Sequence, residues 1–302
     1  MYHLPVLLKD CINGLQIKEE GVYVDVTFGG GGHSREILKQ LGPNGKLFAF
    51  DQDDDAKINI PNDKRFTFIE QNFRFIKNAL RIYGINEVDG ILADFGVSSH
   101  QFDVAERGFS TRFDSKLDMR MNRKNQLSAF EVINSYEEEA LSIIFKNFGE
   151  LHQHRKFAKE IVTQRQVKPI ETTIELKSCL KKYIKKENES KTYSQLFQAL
   201  RIEVNEEIEV IKEFLSQTKI LLKPGGRLVV LSYHSLEDRL VKNFMKTGNC
   251  EGTVEKDFFG NIKNPFRLLT KKPVVPSTEE LSENSRARSA KLRIAEKQND
   301  GQ

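Results

Sequence analysis

The 302-residue chain is poor in cysteine and proline, has no tryptophan, and contains no long apolar run. Its cysteines, Cys11, Cys179 and Cys250, are odd in number and lack the spacing of a zinc site, so we expect three reduced thiols and no bound metal. No stretch approaches the about 18 apolar residues that cross a bilayer. Residues 1–10 lack the basic and apolar segments of a signal peptide. We therefore expect a cytoplasmic location without membrane association.

The composition is that of a soluble globular protein. Hydrophobic residues make up 38% and charged residues 30% of the chain, with 19 glycines and 8 prolines, which excludes fibrous and low-complexity classes. A length of 302 residues allows two domains, or one large domain with an insertion. The oligomeric state is not specified by the sequence.

The formal net charge of +4 conceals an uneven distribution. Residues 1–105 carry 11 basic and 15 acidic side chains, residues 106–205 carry 19 and 14, and residues 206–302 carry 17 and 14. The first third is therefore acidic and the other two are basic. Such asymmetry hints at a basic face for a polyanion, although solvated surface charge explains it equally well.

Short apolar segments rich in β-branched residues alternate with helical ones in the first third. Strands are predicted at residues 22–28, 46–50, 66–70 and 90–94, and helices at 33–41 and 73–83. This alternation indicates a parallel sheet with helices on its faces. After one long helix predicted at 194–222, an apolar strand at 227–232 resumes the sheet.

The intervening residues, 106–193, are polar, basic and helical in the spacing of their apolar positions. Helices are predicted at 127–133, 137–148, 155–166 and 173–185. We therefore predict an α/β domain formed by residues 1–105 and 194–302, interrupted by an all-helical insertion at 106–193.

A glycine loop follows the first predicted strand. Residues 25–34 read DVTFGGGGHS, and four consecutive glycines cost backbone entropy, which indicates close approach of the backbone to a ligand. A tight turn without a ligand is the alternative. The loop lacks the last glycine of a GxGxxG dinucleotide motif and the lysine of a P-loop. A nicotinamide-dependent oxidoreductase, which would share the fold, is therefore disfavoured.

Asp51 closes the second predicted strand, and together with the glycine loop it resembles the S-adenosylmethionine site of class I methyltransferases. In such a site the backbone at Gly31, Gly32 and His33 would approach the methionine part of the cofactor. The Asp51 carboxylate would accept hydrogen bonds from both ribose hydroxyls.

Candidate site residues also follow the third, fourth and fifth predicted strands. Phe73 is a candidate for the adenine contact, with helix core as an equal alternative. The fourth strand of this fold ends near the donated methyl group, so Asp94 and Gln101 are candidates for the donor and acceptor site; a capping role for Asp94 is the alternative. His234, after the fifth strand, is either functional or structural.

Seven segments, in one order along the chain, resemble the ribosomal RNA small subunit methyltransferase H family. They are TFGGGGHS at 27–34, DFGVSS at 94–99, ERGFS at 106–110, LDMRM at 117–121, FQALRI at 197–202, SYHSLEDR at 232–239, and SRARS with LRIA within 285–295. The glycine loop alone is moderately specific, whereas the set is strongly so. The resemblance implies transfer of a methyl group from S-adenosyl-L-methionine to N4 of a cytidine in the decoding region of small-subunit (16S) ribosomal RNA.

The resemblance also assigns roles to residues. Contacts to S-adenosyl-L-methionine are implied for Gly31, Gly32, His33, Asp51, Phe73, Asp94 and Gln101. The chemistry of amine methylation, and not the resemblance, makes Asp94 in addition the candidate catalytic residue: with nearby backbone carbonyls, it would accept hydrogen bonds from the amine that is methylated. The helical insertion corresponds to the family's substrate-recognition domain, and the implied partner is small-subunit ribosomal RNA or the 30S subunit.

A base that leaves its stack needs a basic cleft and a stacking surface. Candidates for stacking are Phe109, Phe113 and Tyr233, with core packing as the alternative. Candidates for phosphate contacts are Arg107, Arg112, Arg120, Arg123, Arg286, Arg288 and Arg293. Two other functions stay open: methylation of another RNA or DNA base, and a non-catalytic RNA-binding factor of the same fold.

Overall fold

The computed structural model describes residues 5–256, 260 and 264–299. The chain forms two compact units, Met1–Gly96 with Ile208–Gln302, and Val97–Glu207. The insertion predicted at 106–193 lies within the second unit, which extends beyond it at both ends.

The first part of the first unit alternates strands and helices. Its elements are α1 Leu8–Leu15, β1 Val22–Asp25, α2 Gly32–Gln40, β2 Lys46–Asp51, β3 Phe66–Glu70, α3 Ile76–Ile82 and β4 Val88–Asp94. A 3-10 turn at Phe73–Phe75 precedes α3 and begins the helix predicted at 73–83. Helix α1 is not among the predicted elements, although its buried Cys11, Ile12 and Leu15 have helical spacing.

The second unit is built from helices. They are α4 Ser99–Asp103, α5 Ala129–Ser135, α6 Glu138–Asn147, α7 His154–Arg165, α8 Thr173–Leu180 and α9 Glu189–Val204. These helices enclose an apolar core of their own, which includes Phe145, Phe157 and Leu200. Capping boxes at Ser128 and Thr172 satisfy the first backbone N–H groups of α5 and α8, which explains where these helices begin.

The prediction of a single helix at 194–222 is wrong. The structure has two helices there, α9 and α10, and α10 spans Glu207–Leu221. Between them Glu206 has a φ of 51°. The side chain of Asn205 donates to and accepts from the main chain of residues 119–121, at 2.8 and 2.7 Å. These bonds to a distant segment hold Asn205 at φ −104° and ψ 3°, outside the α-helical region, so α9 ends here.

The end of the chain completes the first unit with β5 Leu222–Ser232, α11 Ser235–Thr247, β6 Phe266–Leu268, α12 Thr278–Glu283 and β7 Lys291–Lys297. The sheet order is β3-β2-β1-β4-β5-β7-β6. Strands β1 to β5 are parallel, whereas β7 pairs antiparallel with β5 and β6. The predicted α/β fold with a class I (Rossmann-like) sheet is confirmed, and it has an antiparallel edge in addition. Among the described helices, none is both long and apolar enough to cross a membrane.

The two faces of the sheet pack against different helices, because successive residues of a strand point to opposite sides. Val24 and Ile91 belong to the core that includes residues of α3, α10 and α11. Tyr23 and Leu92 belong to the core that includes residues of α1 and α2.

The strand register brings three carboxylates to one edge of the sheet. Asp25 pairs with Ala49 of β2 and with Leu92 of β4, so Asp51 and Asp94 each lie two residues beyond the pairing of Asp25. The strand order reverses between β1 and β4, and ligands of α/β sheets bind at the carboxyl ends of strands at such a reversal. The fold therefore places the candidate site at these three residues.

Candidate active site

The glycine loop joins β1 to α2 and turns sharply. Gly29 and Gly31 have φ values of 48° and 71°, a left-handed region that glycine adopts at no steric cost. A Cβ atom on Gly31 would lie 2.9 Å from the ring of Phe28, whereas one on Gly30 would meet nothing within 4 Å. The loop is therefore tightly packed at Gly31 and open at Gly30.

Gly32 and His33 contact the N-terminal segment. A Cβ atom on Gly32 would overlap Cγ of Pro5, so close packing requires this glycine. His33 is buried, with Nε2 3.3 Å from the carbonyl oxygen of Val6 and Nδ1 3.9 Å from Oδ2 of Asp94. Contacts inside the protein thus account for both residues, and their contact with the cofactor stays a prediction.

Asp51 ends β2 beside the glycine loop. Its Oδ2 accepts a hydrogen bond from the backbone N–H of Gly29 at 2.8 Å, and its Oδ1 accepts one from that of Asp53 at 2.9 Å. Burial raises the pKa of Asp51 to about 6 despite these two hydrogen bonds. An ionised carboxylate offers about four acceptor positions. Asp51 can therefore accept two more hydrogen bonds, which is the requirement of a ribose diol.

Asp94 ends β4 and is held by its neighbours. The hydroxyl of Tyr233 donates to Oδ1 of Asp94 at 2.7 Å, and the Asp94 backbone N–H donates to Oγ1 of Thr27 at 2.7 Å. Burial raises the pKa of Asp94, while His33 and the Tyr233 hydroxyl oppose the rise. The side chain is still 24% exposed, so a ligand can reach it.

Asp25 is the innermost carboxylate. It accepts hydrogen bonds from the Ser34 hydroxyl at 2.7 Å and from the Thr27 N–H at 3.1 Å, and burial raises its pKa. Its charge also raises the pKa of both Asp51 and Asp94. Carboxylates that disfavour one another's ionisation favour a cationic ligand. The sulfonium and ammonium groups of S-adenosyl-L-methionine are cations, so the residues present fit this cofactor.

Phe73 is half-buried against the core that includes residues of α3, α10 and α11. Its ring centroid lies 5.9 Å from that of Phe95, with an interplanar angle of 23°, and 5.3 Å from that of Phe214. These contacts establish the core role that the sequence left as an alternative. Contact with an adenine stays a prediction.

Gln101 lies in the second unit, where it is buried. Its N–H donates to Oγ of Ser98 at 3.2 Å, and its Oε1 accepts from the Ser98 N–H at 3.0 Å. This capping box begins α4. Its role toward the cofactor stays a prediction.

Two of the seven arginines predicted to contact RNA are buried and paired inside the protein. Arg107 is 2% exposed and donates from Nη2 to the carbonyl oxygens of Arg120 and Met121 at 2.9 and 3.1 Å. Arg293 is 6% exposed, with Nε 2.6 Å from Oδ1 of Asp238. The prediction of phosphate contacts is corrected for these two positions, because neither guanidinium is accessible to a nucleic-acid backbone.

The other arginines are accessible. Arg112, Arg123 and Arg288 are exposed, and Arg120 and Arg286 are partly exposed. For these five, contact with phosphates stays a prediction.

The three aromatic candidates for stacking on a base also differ in their exposure. Phe109 is buried in the core of the helical unit, so the prediction of a stacking role is corrected there. Phe113 is 41% exposed, and Tyr233 is partly exposed. The hydrogen bond from Tyr233 to Asp94 is absent from the sequence-based predictions. The signal for it was available, because Asp94 ends β4, Tyr233 directly follows β5, and these strands are parallel neighbours.

Comparison with known proteins identifies the family. The MraW methylase family matches residues 1–298. The chain belongs to this family. The ribosomal RNA small subunit methyltransferase H of Flavobacterium johnsoniae is 60% identical over 296 residues, which covers 98% of both chains. The protein of the same name from Bacteroides fragilis is 57% identical over 296 residues, covering 98% of this chain and 97% of that one. The family resemblance seen in the sequence is confirmed, and with it S-adenosyl-L-methionine as cofactor.

Solved structures show more distant likeness. A putative rRNA-methylase from Clostridium thermocellum has a TM-score of 0.46 at 14% identity, covering 98% of this chain and all of that one. Aeropyrum pernix fibrillarin with bound S-adenosyl-L-methionine has a TM-score of 0.39 at 9% identity, covering 95% of this chain and 73% of that one. Likeness at this level has no bearing on function.

Proposed function

We propose that this protein transfers a methyl group from S-adenosyl-L-methionine to N4 of a cytidine in the decoding region of small-subunit ribosomal RNA. The observation that carries the proposal is Asp94, a carboxylate held by Tyr233 at 2.7 Å beside the glycine loop and yet 24% exposed. The class of RNA comes from the names of the relatives. The proposed partner is this RNA or the 30S subunit, and the proposed location is the cytoplasm.

The glycine loop and Asp51 are the residues that would hold the cofactor. The open backbone at Gly30 leaves room beside β1, and Asp51 keeps acceptor capacity for two hydroxyls. When bound, the cofactor supplies a methyl group activated by a positively charged sulfur. The negative charge of Asp25, Asp51 and Asp94 favours binding of such a cation.

Asp94 has the properties of an acceptor for the amine protons of cytosine. The amine lone pair is delocalised into the ring, so a hydrogen bond to a carboxylate makes the nitrogen more tetrahedral and more nucleophilic. The Tyr233 hydroxyl takes one acceptor position of Oδ1, which leaves acceptor positions of the Asp94 carboxylate for the amine. Methyl transfer to nitrogen releases one proton. Because burial raises the pKa of Asp94, this carboxylate takes up that proton more readily than an ordinary one.

The cysteines argue for a nitrogen acceptor over a ring carbon. Methylation of a pyrimidine carbon requires a nucleophile, typically a thiolate, that first adds to the ring. Cys11 is fully buried, which raises its pKa well above the usual range. Burial also raises the pKa of Cys179 to about 12 and that of Cys250 to about 11. These thiols stay protonated at neutral pH, and an amine acceptor has no need of them.

Nucleoside mass spectrometry tests the substrate. Small-subunit RNA from cells without this protein should lack N4-methylated cytidine that is present when the protein is restored. Loss of a different methylated base would replace cytidine N4 as the target. RNA binding with no change in methylation would indicate a non-catalytic factor.

The role of Asp94 is tested by Asp94→Asn. Turnover in a tritiated-methyl assay should fall at least about 100-fold, the scale of a lost general base. Affinity for S-adenosylhomocysteine and the melting temperature should show that the site is still folded. Asp10→Asn is the matched control, because Asp10 is exposed on α1. Turnover of Asp94→Asn near that of the control would remove Asp94 from the mechanism.

A further inference from the structure

A cavity of about 360 Å³ lies in the first unit, between the start of α11 and the segment that leads into β7. It is lined by the aromatic Tyr233, by Ser235 and Ser289 with their hydroxyls, and by the cationic Arg288 and Lys291. Ligand pockets begin at about 300 Å³. The cavity therefore has room for a group about the size of one nucleotide.

The wall of the cavity is positively charged. Lys291 Nζ lies 3.3 Å from Oδ2 of Asp238, but that carboxylate is already paired with Arg293 at 2.6 Å. Two cations thus share one anion, and the exposed Arg288 adds a further positive charge. An anion is the ligand that such a wall favours, and guanidinium groups bind phosphate oxygens in bidentate geometry.

Tyr233 links this cavity to the active site. It lines the cavity, and its hydroxyl also donates to Oδ1 of Asp94 at 2.7 Å. A group bound in the cavity is therefore next to the residue that holds the carboxylate of Asp94. A nucleotide adjoining the target base would occupy such a position.

We propose that this cavity binds the phosphodiester next to the target cytidine, with Arg288 as the main contact. The inference rests on the proposed function, because it requires RNA as the substrate. Single-stranded RNA is bound by cations that meet its phosphates and by aromatic side chains that stack on its bases, and the cavity offers both. An inorganic anion would engage the cations alone.

The test combines a change in the protein with a change in the RNA. The RNA is a pentanucleotide of uridines with one central cytidine, and each phosphodiester next to the cytidine is replaced in turn by a neutral methylphosphonate. The full-length protein carries Arg288→Gln. Arg81→Gln is the control, because Arg81 is exposed on α3 and does not line the cavity.

One of the two methylphosphonate RNAs should bind the wild-type protein about tenfold more weakly than the unmodified RNA, as expected for one lost charge-assisted contact. Arg288→Gln should bind all three RNAs with equal affinity, whereas Arg81→Gln should behave as the wild type. Both variants should keep wild-type affinity for S-adenosylhomocysteine, which shows that they are folded. Fluorescence anisotropy gives the dissociation constants.

The cavity assignment is overturned if the wild-type protein and Arg288→Gln respond alike to every RNA, or if the wild-type protein binds none of them. The outcome is separate from that of the proposed function. A protein that methylates cellular RNA but ignores the methylphosphonates keeps its function and loses this site. Binding that depends on Arg288 without methylation of any cytidine supports the site and refutes the function.

Discussion

Asp51 should make cofactor binding depend on pH. A pKa of about 6 means that the ligand-free carboxylate is about nine-tenths ionised at pH 7 and about one-tenth ionised at pH 5. Hydroxyls that donate to the carboxylate favour its ionised form, so its pKa falls in the complex and binding releases a proton. Affinity is therefore greatest above pH 7 and is lost as the pH falls through 6. The Kd should rise about tenfold between pH 7 and pH 5, which is about 1.4 kcal/mol.

Calorimetric titration with S-adenosyl-L-methionine at several pH values measures this change. In Asp51→Asn the Kd should be larger than that of the wild type at pH 7 and nearly constant down to pH 5. Asp54→Asn is the control, because Asp54 lies three residues away, is half-exposed and pairs with Lys57 at 2.8 Å. It should keep the wild-type profile. Burial also raises the pKa of Asp25 and Asp94. Any change of the Kd with pH that persists in Asp51→Asn therefore measures the contribution of these two carboxylates. A full tenfold change in Asp51→Asn would refute the role of Asp51.

Three further experiments each change one residue. Tyr233→Phe removes the hydrogen bond to Asp94, so kcat should fall about tenfold while the affinity for the cofactor is unchanged. Because that bond lowers the pKa of Asp94, the acid limb of the pH profile of kcat should move to higher pH. An unchanged kcat and profile would show that Tyr233 does not position Asp94. Asn205→Ala should lower the free energy of unfolding in urea by about 2 to 4 kcal/mol, because it leaves buried main-chain groups unpaired. The control Asn147→Ala should change it little, because Asn147 is exposed. Equal effects of the two substitutions would contradict the account of the helix break. Arg112→Gln should lower the slope of log affinity for single-stranded RNA against log salt by about 0.7, and an unaltered slope would exclude a phosphate contact there.

Local sequence patterns predicted most of the sheet. Strand β3 spans the predicted residues 66–70, and β2 differs from its prediction by one residue. Strand β1 ends at Asp25, before the predicted end at residue 28, because the chain leaves the sheet as it enters the glycine turn. The side-chain period that reveals a strand is local, so it is visible without the partner strands. The antiparallel pairing of β7 with β5 was not predicted, since pairing depends on residues distant in sequence.

In the second unit, by contrast, the local sequence pattern predicted one helix where the structure has two. The break at Asn205 depends on hydrogen bonds to residues 119–121, more than 80 positions earlier in the chain. The apolar spacing on either side of the break is helical, so the sequence pattern continues where the helix does not. Only the tertiary contacts decide that two helices form.

The sequence by itself determined the α/β class, the glycine loop, and the presence of Asp51 and Asp94 at strand ends. Those features follow from composition and spacing along the chain. The tertiary structure decided which groups meet: it pairs Tyr233 with Asp94, and it buries Arg107 and Arg293 away from any nucleic acid. The physical reason is that a hydrogen bond or a buried ion pair requires atoms within about 3 Å. That proximity is set by strand register and packing between segments far apart in sequence.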